Sequence, residues 1–279
     1  MNFSNILKDH FALFYSEDQL SNNFAYNYSL PSDEVNCFLK LKDDLTLAGL
    51  PFFFEAFNYL SPGVVDYNKF KTFEGRDFFK SDNVTLEFKL PFNVALSGER
   101  IALNLLQRAS AIATQTGQFV TRVDNKVKIL DTRKTLPALR FLEKYAVHIG
   151  GGYNHRFGQT DAWMIKDNHK FFFGGMKEAI NFFKSQRAFY TPLIIEIHNQ
   201  DELIEAIELG ENHFLLDNFS PSEIKEAIKL KKDNMTYEVS GGITLENIHK
   251  FAIEGVDAIS SGSLTYNAKP VDISLKFKK

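Results

Sequence analysis

The second half of the chain alternates short apolar runs with segments of helical pattern. The apolar runs are VKILD, AWMIKD, LIIEI, HFLLDN, YEVSGG and AISSG. Helical patterns such as MKEAINFFKSQ, SEIKEAIKL and LENIHKFAIEG stand between them. Two parallel strands need a crossover connection, which is usually a helix. The alternation therefore predicts an α/β fold with parallel strands, and it favours a barrel over an open sheet.

Each apolar run is closed by a polar side chain. The six residues are Asp131, Lys166, Glu196, Asp217, Ser240 and Ser261. In an α/β barrel the active site lies at the carboxyl ends of the strands. We therefore expect these side chains to share one rim. Six convincing strands are fewer than the eight of a complete barrel, so the pattern favours an incomplete one.

The first part of the chain has a different pattern. Alternating apolar and polar residues in EVNCFLKLKDDLTLAGL and NVTLEFKLPFNVAL indicate strands, whereas SNILKDHFALFYSED has helical spacing. A long helical pattern follows, with Ser97 as its expected N-cap. We predict an N-terminal α+β domain with an antiparallel sheet over residues 1–98 and an α/β barrel domain over residues 99–279. The last segment of the chain is a candidate to return to the N-terminal domain.

Charge and cysteine content narrow the class of protein. A net charge of −3 and an isoelectric point near 6.2 argue against general nucleic-acid binding, which usually needs a basic excess. Cys37 is the single cysteine, so no internal disulfide can form and a cytoplasmic location is expected. No run of about 20 apolar residues occurs, so we expect no membrane association.

Cationic residues cluster around the first two apolar runs. They are Arg133 and Lys134 after VKILD, His155 and Arg156 in the glycine-rich GGGYNHRFG, and Lys166 after AWMI. Arginine grips carboxylate or phosphate through a planar fork, and lysine adds a compact charge. Each residue could instead be solvated or paired with a neighbouring acid. We favour anion binding for the arginine and lysine residues, leave both roles open for His155, and interpret His169 as structural.

Two carboxylates, Glu196 and Asp217, close consecutive apolar runs. Like charges at neighbouring strand ends repel each other unless a cation lies between them. Mg²⁺ suits this arrangement, because it is held by one or two carboxylates together with phosphates and water. General acid–base catalysis is the competing role.

Glycine turns follow the last two apolar runs. One holds Ser240, Gly241 and Gly242 in SGGITLENIHKF, and the other holds Ser261 and Gly262 in SSGSLT. Backbone N–H groups before a helix bind phosphate, and barrels commonly place a phosphate site after their last two strands. Ordinary tight turns are the alternative. The combined pattern predicts one phosphorylated ligand, with Mg²⁺, and a second ligand that carries carboxylates.

The chain resembles a known enzyme family in these motifs. The matching segments are ERIALNLLQRASAIAT, LDTRKTLPALRFLEKYAVHIGGGYNHRFGQTDAWMIKDNH, LLDN and EVSGGITLENIHKFAIEGVDAISSGSLT. They are similar to those of quinolinate phosphoribosyltransferases, also called nicotinate-nucleotide pyrophosphorylases (carboxylating), and the similarity runs from about Ser97 to Leu275. The resemblance implies an N-terminal sandwich domain, an incomplete seven-stranded α/β barrel, and homodimers or hexamers built of dimers. The implied reaction transfers phosphoribose from phosphoribosyl pyrophosphate to quinolinate with Mg²⁺, and it gives nicotinate mononucleotide, pyrophosphate and CO₂ for NAD biosynthesis.

The resemblance also implies roles for individual residues. Quinolinate would be bound by Arg100, Thr132, Arg133, His155, Arg156 and Lys166, with Arg100 reaching the site of the neighbouring subunit. Phosphoribosyl pyrophosphate would be bound by Lys134, Glu196, Asp217, Ser240, Gly241, Gly242, Ser261 and Gly262. Glu196 and Asp217 would hold the Mg²⁺. Catalysis would fall to these two acids together with Lys134 and Lys166.

Three positions depart from the pattern of the family. They are the segment Gln19 to Asn23, Gly117 where an arginine is usual, and Ile194 where a further glutamate is frequent. The resemblance implies that the N-terminal domain of a neighbouring subunit covers the barrel mouth as a lid. These changes therefore bear on that lid, on the subunit contact and on substrate preference. Two alternatives stay open: a related phosphoribosyltransferase that does not decarboxylate, and a non-catalytic phosphosugar-binding protein. The presence of both Glu196 and Asp217 argues against the second.

Overall fold

The computed structural model describes residues 3–18 and 24–279. The altered segment Gln19 to Asn23 therefore lies outside the described residues. The chain forms two compact units. The first consists of Met1–Gln115, Pro137–Gly150 and Ala268–Lys279, and the second consists of Thr116–Leu136 and Gly151–Asn267.

Helices and strands cover most of the described chain. The helices are α1 (Phe3–Glu17), α2 (Phe24–Ser29), α3 (Leu50–Leu60), α4 (Phe92–Arg122), α5 (Arg140–Ile149), α6 (Asp167–Phe173), α7 (Met176–Gln186), α8 (Gln200–Glu208), α9 (Pro221–Ile228) and α10 (Ser263–Tyr266). The strands are β1 (Glu34–Leu41), β2 (Leu45–Thr46), β3 (Asp77–Phe78), β4 (Thr85–Pro91), β5 (Lys128–Leu130), β6 (Trp163–Ile165), β7 (Leu193–Ile197), β8 (His213–Asp217), β9 (Thr236–Ser240), β10 (Ala258–Ser260) and β11 (Ile273–Lys278). Among the described residues, no helix combines the length and the apolar character that crossing a bilayer requires.

The main sheet of the first unit is antiparallel and has β1 in its middle. Strand β4 pairs with one edge of β1 and β11 pairs with the other. Every second residue of β1 is buried, which is the period of a strand that packs one face on a core. The short strands β2 and β3 pair separately. The end of the chain therefore completes the sheet that begins near its start.

Phenylalanine fills the core of the first unit. The ring of Phe88 on β4 lies 5.9 Å from the ring of Phe53, 5.2 Å from that of Phe54 and 6.3 Å from that of Phe57. The three partners lie on α3 and are fully buried. The pairs with Phe53 and Phe54 are edge-to-face, a geometry that adds stability beyond the area it buries.

A carboxylate distant in sequence caps the start of α3. Glu74 accepts hydrogen bonds from the backbone N–H groups of Gly49 (2.6 Å) and Leu50 (3.0 Å) and from the hydroxyl of Tyr145 (2.8 Å). The first N–H groups of a helix have no partner within the helix, so this side chain satisfies donors that would otherwise be buried unpaired. Burial raises the pKa of the Glu74 carboxyl, and the three hydrogen bonds oppose that rise.

Helix α4 is longer than the sequence pattern predicts and extends through the expected domain boundary. Because it begins at Phe92, Ser97 lies inside the helix and is not its N-cap. The boundary expected between residues 98 and 99 also falls within α4, and the compact units divide instead between Gln115 and Thr116. Gly117 does not interrupt the helix, since one glycine costs a helix only about 1 kcal/mol.

The second unit is built on a parallel sheet of six strands. Their order is β5-β10-β9-β8-β7-β6, and every neighbouring pair is parallel. The α/β fold with an incomplete barrel is thereby confirmed. Tyr153 adds a single parallel bridge to Leu130 beside β5, where a seventh strand would stand.

One predicted helix of the second unit does not form. The segment LENIHKFAIEG contains only a 3₁₀ turn at Ile248–Lys250. The side chain of Asn247 accepts a hydrogen bond from the N–H of Thr244 at 2.8 Å and donates to the carbonyl oxygen of Gly242 at 2.9 Å. Side-chain bonds of this type offer the backbone an alternative to the helix.

Candidate active site

A cavity of about 430 Å³ opens at the carboxyl ends of the strands of the second unit. Its size is that of a small-molecule site. Five of the six strand-end side chains line it, and Asp131 does not. The predicted site residues that line it are Thr132, Arg133, Lys134, His155, Arg156, Lys166, Glu196, Asp217, Ser240, Gly241, Gly242, Ser261 and Gly262.

Asp131 lies outside the cavity lining and holds a loop that contributes to it. Its side chain is fully buried and accepts hydrogen bonds from the side chain of Asn154 (2.6 Å) and the backbone N–H of His155 (2.9 Å). The buried carboxylate thus fixes the loop that carries His155 and Arg156. Its place directly after β5 made it a rim candidate, but its side chain points to the backbone of this loop.

Two arginine residues concentrate positive charge in the cavity. The Arg156 guanidinium donates to the carbonyl oxygen of Ala162 at 3.0 Å. Burial lowers the pKa of Arg156, and the nearby charge of Arg133 lowers it further. The Nε atom of Arg133 is buried and has no hydrogen-bond partner in the described structure. An anion in the cavity would relieve both the mutual repulsion and the unmet donor.

The His155 side chain is only 9% exposed. Its Nδ1 accepts the backbone N–H of Arg156 at 2.6 Å, and its Nε2 lies 3.2 Å from a carboxylate oxygen of Glu238. Glu238 is buried inside β9, and its other oxygen lacks a partner among the described residues. These contacts fit a neutral imidazole with its proton on Nε2, so the geometry favours a supporting role for His155.

Lys166 and Glu196 form a close ion pair across β6 and β7. The Lys166 side chain is 44% exposed and the Glu196 side chain only 8%, and both line the cavity. His169 accepts the backbone N–H of Lys166 through Nδ1 at 3.0 Å. That contact supports the structural interpretation of His169, because it holds the first turn of α6.

The second acid is held by its neighbours on β8 and β9. Asp217 accepts hydrogen bonds from the hydroxyl of Ser240 (2.6 Å) and the side chain of Asn218 (2.8 Å). The His198 ring stands between the two acids, with Nε2 3.6 Å from Glu196 and Nδ1 4.0 Å from Asp217. A row of polar groups therefore runs along the ends of β7, β8 and β9.

The two acids fit Mg²⁺ only as part of a ligand complex. Within residues 3–18 and 24–279, no group of three or more His, Cys, Asp or Glu side chains could hold a metal ion. Mg²⁺ usually binds one or two carboxylates and takes its other ligands from substrate phosphates and water. Glu196 and Asp217 match that demand, whereas a metal site built entirely of protein groups is not present in the described residues.

The glycine turn after β9 has no room for a side chain. Gly241 has φ 98°, and an added Cβ would lie 2.6 Å from the backbone nitrogen of Asn218. Gly242 follows with φ 58° and open space beside it. Successive backbone groups in such conformations form concave anion-binding turns.

The turn after β10 is braced by its own side chains. The Ser261 hydroxyl donates to the carbonyl oxygen of Ile243 at 2.7 Å, so this side chain is committed to the fold. A Cβ on Gly262 would lie 2.7 Å from Lys134 Cδ and 2.8 Å from the ring of Tyr266. The glycine therefore lets both side chains reach the cavity wall.

Comparisons with known proteins decide the family. Residues 112–276 match the family described as quinolinate phosphoribosyl transferase, C-terminal domain. A probable nicotinate-nucleotide pyrophosphorylase [carboxylating] of Bacillus subtilis is 44% identical over 200 residues, which cover 71% of this chain and 69% of that relative. The chain belongs to the quinolinate phosphoribosyltransferase family.

Full-length similarity extends this assignment to both units. A probable nicotinate-nucleotide pyrophosphorylase [carboxylating] of Archaeoglobus fulgidus is 36% identical over 256 residues, covering 89% of this chain and 96% of the relative. The crystal structure of NadC from Streptococcus pyogenes superposes with a TM-score of 0.88 at 34% identity, covering 99% of this chain and 98% of that one. The quinolinate phosphoribosyltransferase fold thus accounts for the whole described chain.

Several groups at this quinolinate phosphoribosyltransferase site were missed in the sequence. Glu238 lies in the middle of an apolar run, two residues before Ser240, and strand period two places both on one face. That period could have identified it. Asn218 stood in the matching segment LLDN but was given no role, and His198 and Tyr266 carried no motif of their own. Arg100 belongs to the first unit and is exposed on α4, and its reach into a neighbouring subunit stays a prediction.

Proposed function

We propose that this chain transfers phosphoribose from phosphoribosyl pyrophosphate to quinolinate with decarboxylation, forming nicotinate mononucleotide for NAD biosynthesis. Its family membership and the names of its relatives support an enzyme of this class. The observation that carries the proposal is one cavity that has two arginine residues on one wall, one of them with a buried unpaired donor, and two carboxylates with a glycine turn on the other. A dicarboxylate and a phosphosugar are the ligand pair that such a cavity matches.

The diacid is assigned to the cationic wall. Arg133 and Arg156 bind its two carboxylates, and Lys166 and Thr132 complete the contacts. His155 holds this wall in place through Glu238 and the backbone of Arg156. Charge-assisted hydrogen bonds from guanidinium groups are among the strongest available to a carboxylate.

The phosphosugar is assigned to the opposite wall. The backbone of Ser240, Gly241 and Gly242 and the turn at Ser261 and Gly262 receive the 5′-phosphate. Lys134 lies against Gly262 and supplies a cation for the pyrophosphate. Glu196 and Asp217 lie beside the ribose and would hold Mg²⁺, which when bound neutralises charge on the pyrophosphate.

The reaction then follows from positioning and charge. The pyridine nitrogen forms a bond to the anomeric carbon while the bond from that carbon to the pyrophosphate oxygen breaks. The carboxylates of Glu196 and Asp217 stabilise positive charge on the ribose, and Lys134 stabilises the departing anion. The quaternary ring then loses its 2-carboxylate as CO₂, because the electron pair left on carbon 2 is stabilised by the adjacent cationic nitrogen. A proton from solvent or Lys166 completes the product.

We also propose a homodimer, or a hexamer built of dimers, in which Arg100 reaches the neighbouring site. The exposed position of Arg100 on α4 supports this assignment. A cytoplasmic location is proposed because Cys37 is buried and free and the fold uses no disulfide among its described residues.

The test is a steady-state assay with phosphoribosyl pyrophosphate, Mg²⁺ and either quinolinate or nicotinate. Quinolinate labelled in the 2-carboxylate should release one CO₂ for each nicotinate mononucleotide formed, and nicotinate should not react. Turnover of nicotinate would instead favour the non-decarboxylating phosphoribosyltransferase. Tight binding of both substrates without any product would favour a phosphosugar-binding protein. Magnesium dependence is read from the same assay after treatment with a chelator.

A further inference from the structure

Lys170 on α6 is a second lysine beside the candidate site. It follows Lys166, the residue just before α6, by four residues, and its backbone N–H donates to the Lys166 carbonyl oxygen at 3.0 Å. The Lys166 side chain is 44% exposed in the cavity, whereas the Lys170 side chain is only 11% exposed. An ammonium buried to this degree needs partners that compensate for lost water.

The partners of Lys170 connect three elements. Its Nζ donates to the main-chain oxygen of Glu196 on β7 at 3.1 Å and to the carboxylate of Glu202 on α8 at 2.7 Å. The same oxygen of Glu202 accepts the backbone N–H of His198 at 2.9 Å. The N–H of Glu202 in turn donates to the Asn199 side chain at 2.9 Å. The segment from Glu196 to Glu202 is therefore tied at both ends to one buried ammonium.

Two lysines thus hold one acid in different ways. Lys166 contacts the carboxylate of Glu196, and Lys170 contacts its main chain. Ligand anions entering the cavity compete for the exposed ammonium of Lys166. They do not compete for Lys170, whose charge is matched by Glu202. The main-chain contact would therefore remain when substrate shares the side-chain contact.

We infer that Lys170 is a positioning residue that fixes Glu196 and His198 for the phosphosugar and its Mg²⁺. This inference rests on the proposed function, in which Glu196 faces the ribose. Lys170 touches no substrate, and its effect is carried by the backbone of β7. Displacement of a positioned group by about 1 Å can reduce a rate by a factor on the order of 10².

Lys170→Met tests the inference, because methionine keeps most of the apolar stem and removes the ammonium. We expect the KM for phosphoribosyl pyrophosphate, at fixed Mg²⁺, to rise about tenfold, since a hydrogen bond to a charged group is lost. The KM for quinolinate should change by less than about twofold, because the cationic wall is untouched. Lys170→Arg should recover most of the wild-type value. A rise of equal size in both KM values, or no rise in either, would overturn the inference.

Lys184→Met is the matched control. Lys184 on α7 also pairs with a buried glutamate, Glu211, and approaches the carbonyl oxygen of Leu209 at 3.4 Å, near the other end of α8. Lys184→Met therefore removes a similar ion pair beside α8, and Lys184 does not line the cavity. If Lys184→Met produced the same split between the two KM values, general loosening of α8 would explain the result and Lys170 would have no specific role.

Calorimetric binding of phosphoribosyl pyrophosphate with Mg²⁺ gives a readout that needs no turnover. Lys170→Met should weaken this binding about tenfold while Lys184→Met leaves it unchanged. If wild-type protein formed no nicotinate mononucleotide, the proposed function would fail, yet the binding comparison would still decide the role of Lys170. Glu202→Gln keeps an acceptor and removes the charge. It should weaken binding less than Lys170→Met does, and it replaces that variant if Lys170→Met does not fold. Unchanged binding in both variants would refute the inference.

Discussion

The two walls of the cavity differ in how their charged groups are held. On the acidic wall, Asp217 accepts hydrogen bonds from Ser240 and Asn218, and Glu196 is paired with Lys166. On the cationic wall, Arg156 donates to a neutral carbonyl and Arg133 keeps a buried donor without a partner in the described structure. Both carboxylates of the acidic wall have partners, one of them Lys166 of the cationic wall, whereas the arginine residues leave positive charge that a dicarboxylate would match.

Because of this difference, each wall of the cavity would select one of the two anionic ligands. The cationic wall gains most from a ligand that brings its own negative charges. In the proposed scheme the acidic wall would repel such a ligand and would accept a phosphosugar whose charge is screened by Mg²⁺ and by backbone N–H groups. We therefore expect a substitution on each wall to affect one substrate more than the other.

The largest effect is expected where the two walls meet. Lys166→Met removes the cation that pairs with Glu196 and leaves that buried carboxylate without its ammonium. We expect kcat/KM to fall by a factor on the order of 10³, because an electrostatic contact at the reacting centre is lost. Steady-state kinetics with both substrates measures this. Lys128→Met is the control, because Lys128 lies at the amino-terminal end of β5 and the cavity lies at the carboxyl ends of the strands. Activity near wild type in Lys166→Met would show that the reaction does not need the ion pair between Lys166 and Glu196.

Arg133→Met should affect mainly the diacid. We expect the KM for quinolinate to rise by a factor on the order of 10 to 10², which corresponds to one charged hydrogen bond. The KM for phosphoribosyl pyrophosphate should stay within about twofold, since the acidic wall is satisfied by its own contacts. Arg187→Met, which removes an arginine outside the cavity lining, controls for loss of charge. An equal rise in both constants would break the comparison between the walls.

Gly241→Ala should affect mainly the phosphosugar. An alanine Cβ would press on the backbone of Asn218 and would be strained at φ 98°. We expect the KM for phosphoribosyl pyrophosphate to rise about tenfold, along with a stability loss of about 1–2 kcal/mol. Gly210→Ala has a similar positive φ of 79° but open space around it, so it carries the strain without touching the cavity. If both variants changed the KM alike, the turn after β9 would have no special part in binding.

Tyr145→Phe should lower the stability of the protein without changing the KM for either substrate. It removes one of three hydrogen bonds to Glu74 in the first unit, so the free energy of unfolding should fall by about 1 kcal/mol. Urea unfolding measures the loss, and the two KM values should remain at wild-type levels. A substrate-specific change here would show that global stability, and not wall chemistry, governs the kinetics of the other variants.

The parallel sheet and most of its rim could be predicted from the sequence. Each strand of the second unit was an apolar run, and the residue closing it became a cavity residue in every case except Asp131. Period and position are local properties, so a single sequence reveals them. The Gly241 turn was readable for the same reason, because its glycines mark positive φ.

Other features depend on contacts between distant residues. Glu238 contacts His155, which is distant in sequence, and the segment around neither residue predicts this contact. Lys170 reads as an ordinary helix residue until its partners on β7 and α8 are known. Ser97 looked like a helix start because its residue type suits that role, yet apolar packing before it extends α4 back to Phe92.

The place of β11 has a consequence for biosynthesis. Strand β1 is among the first elements made, but one of its two edges is covered only by residues 273–278. While the ribosome works through the intervening chain, that edge presents unpaired N–H and C=O groups to any other strand. Nascent chains therefore expose this edge to wrong pairing until residues 273–278 have left the exit tunnel.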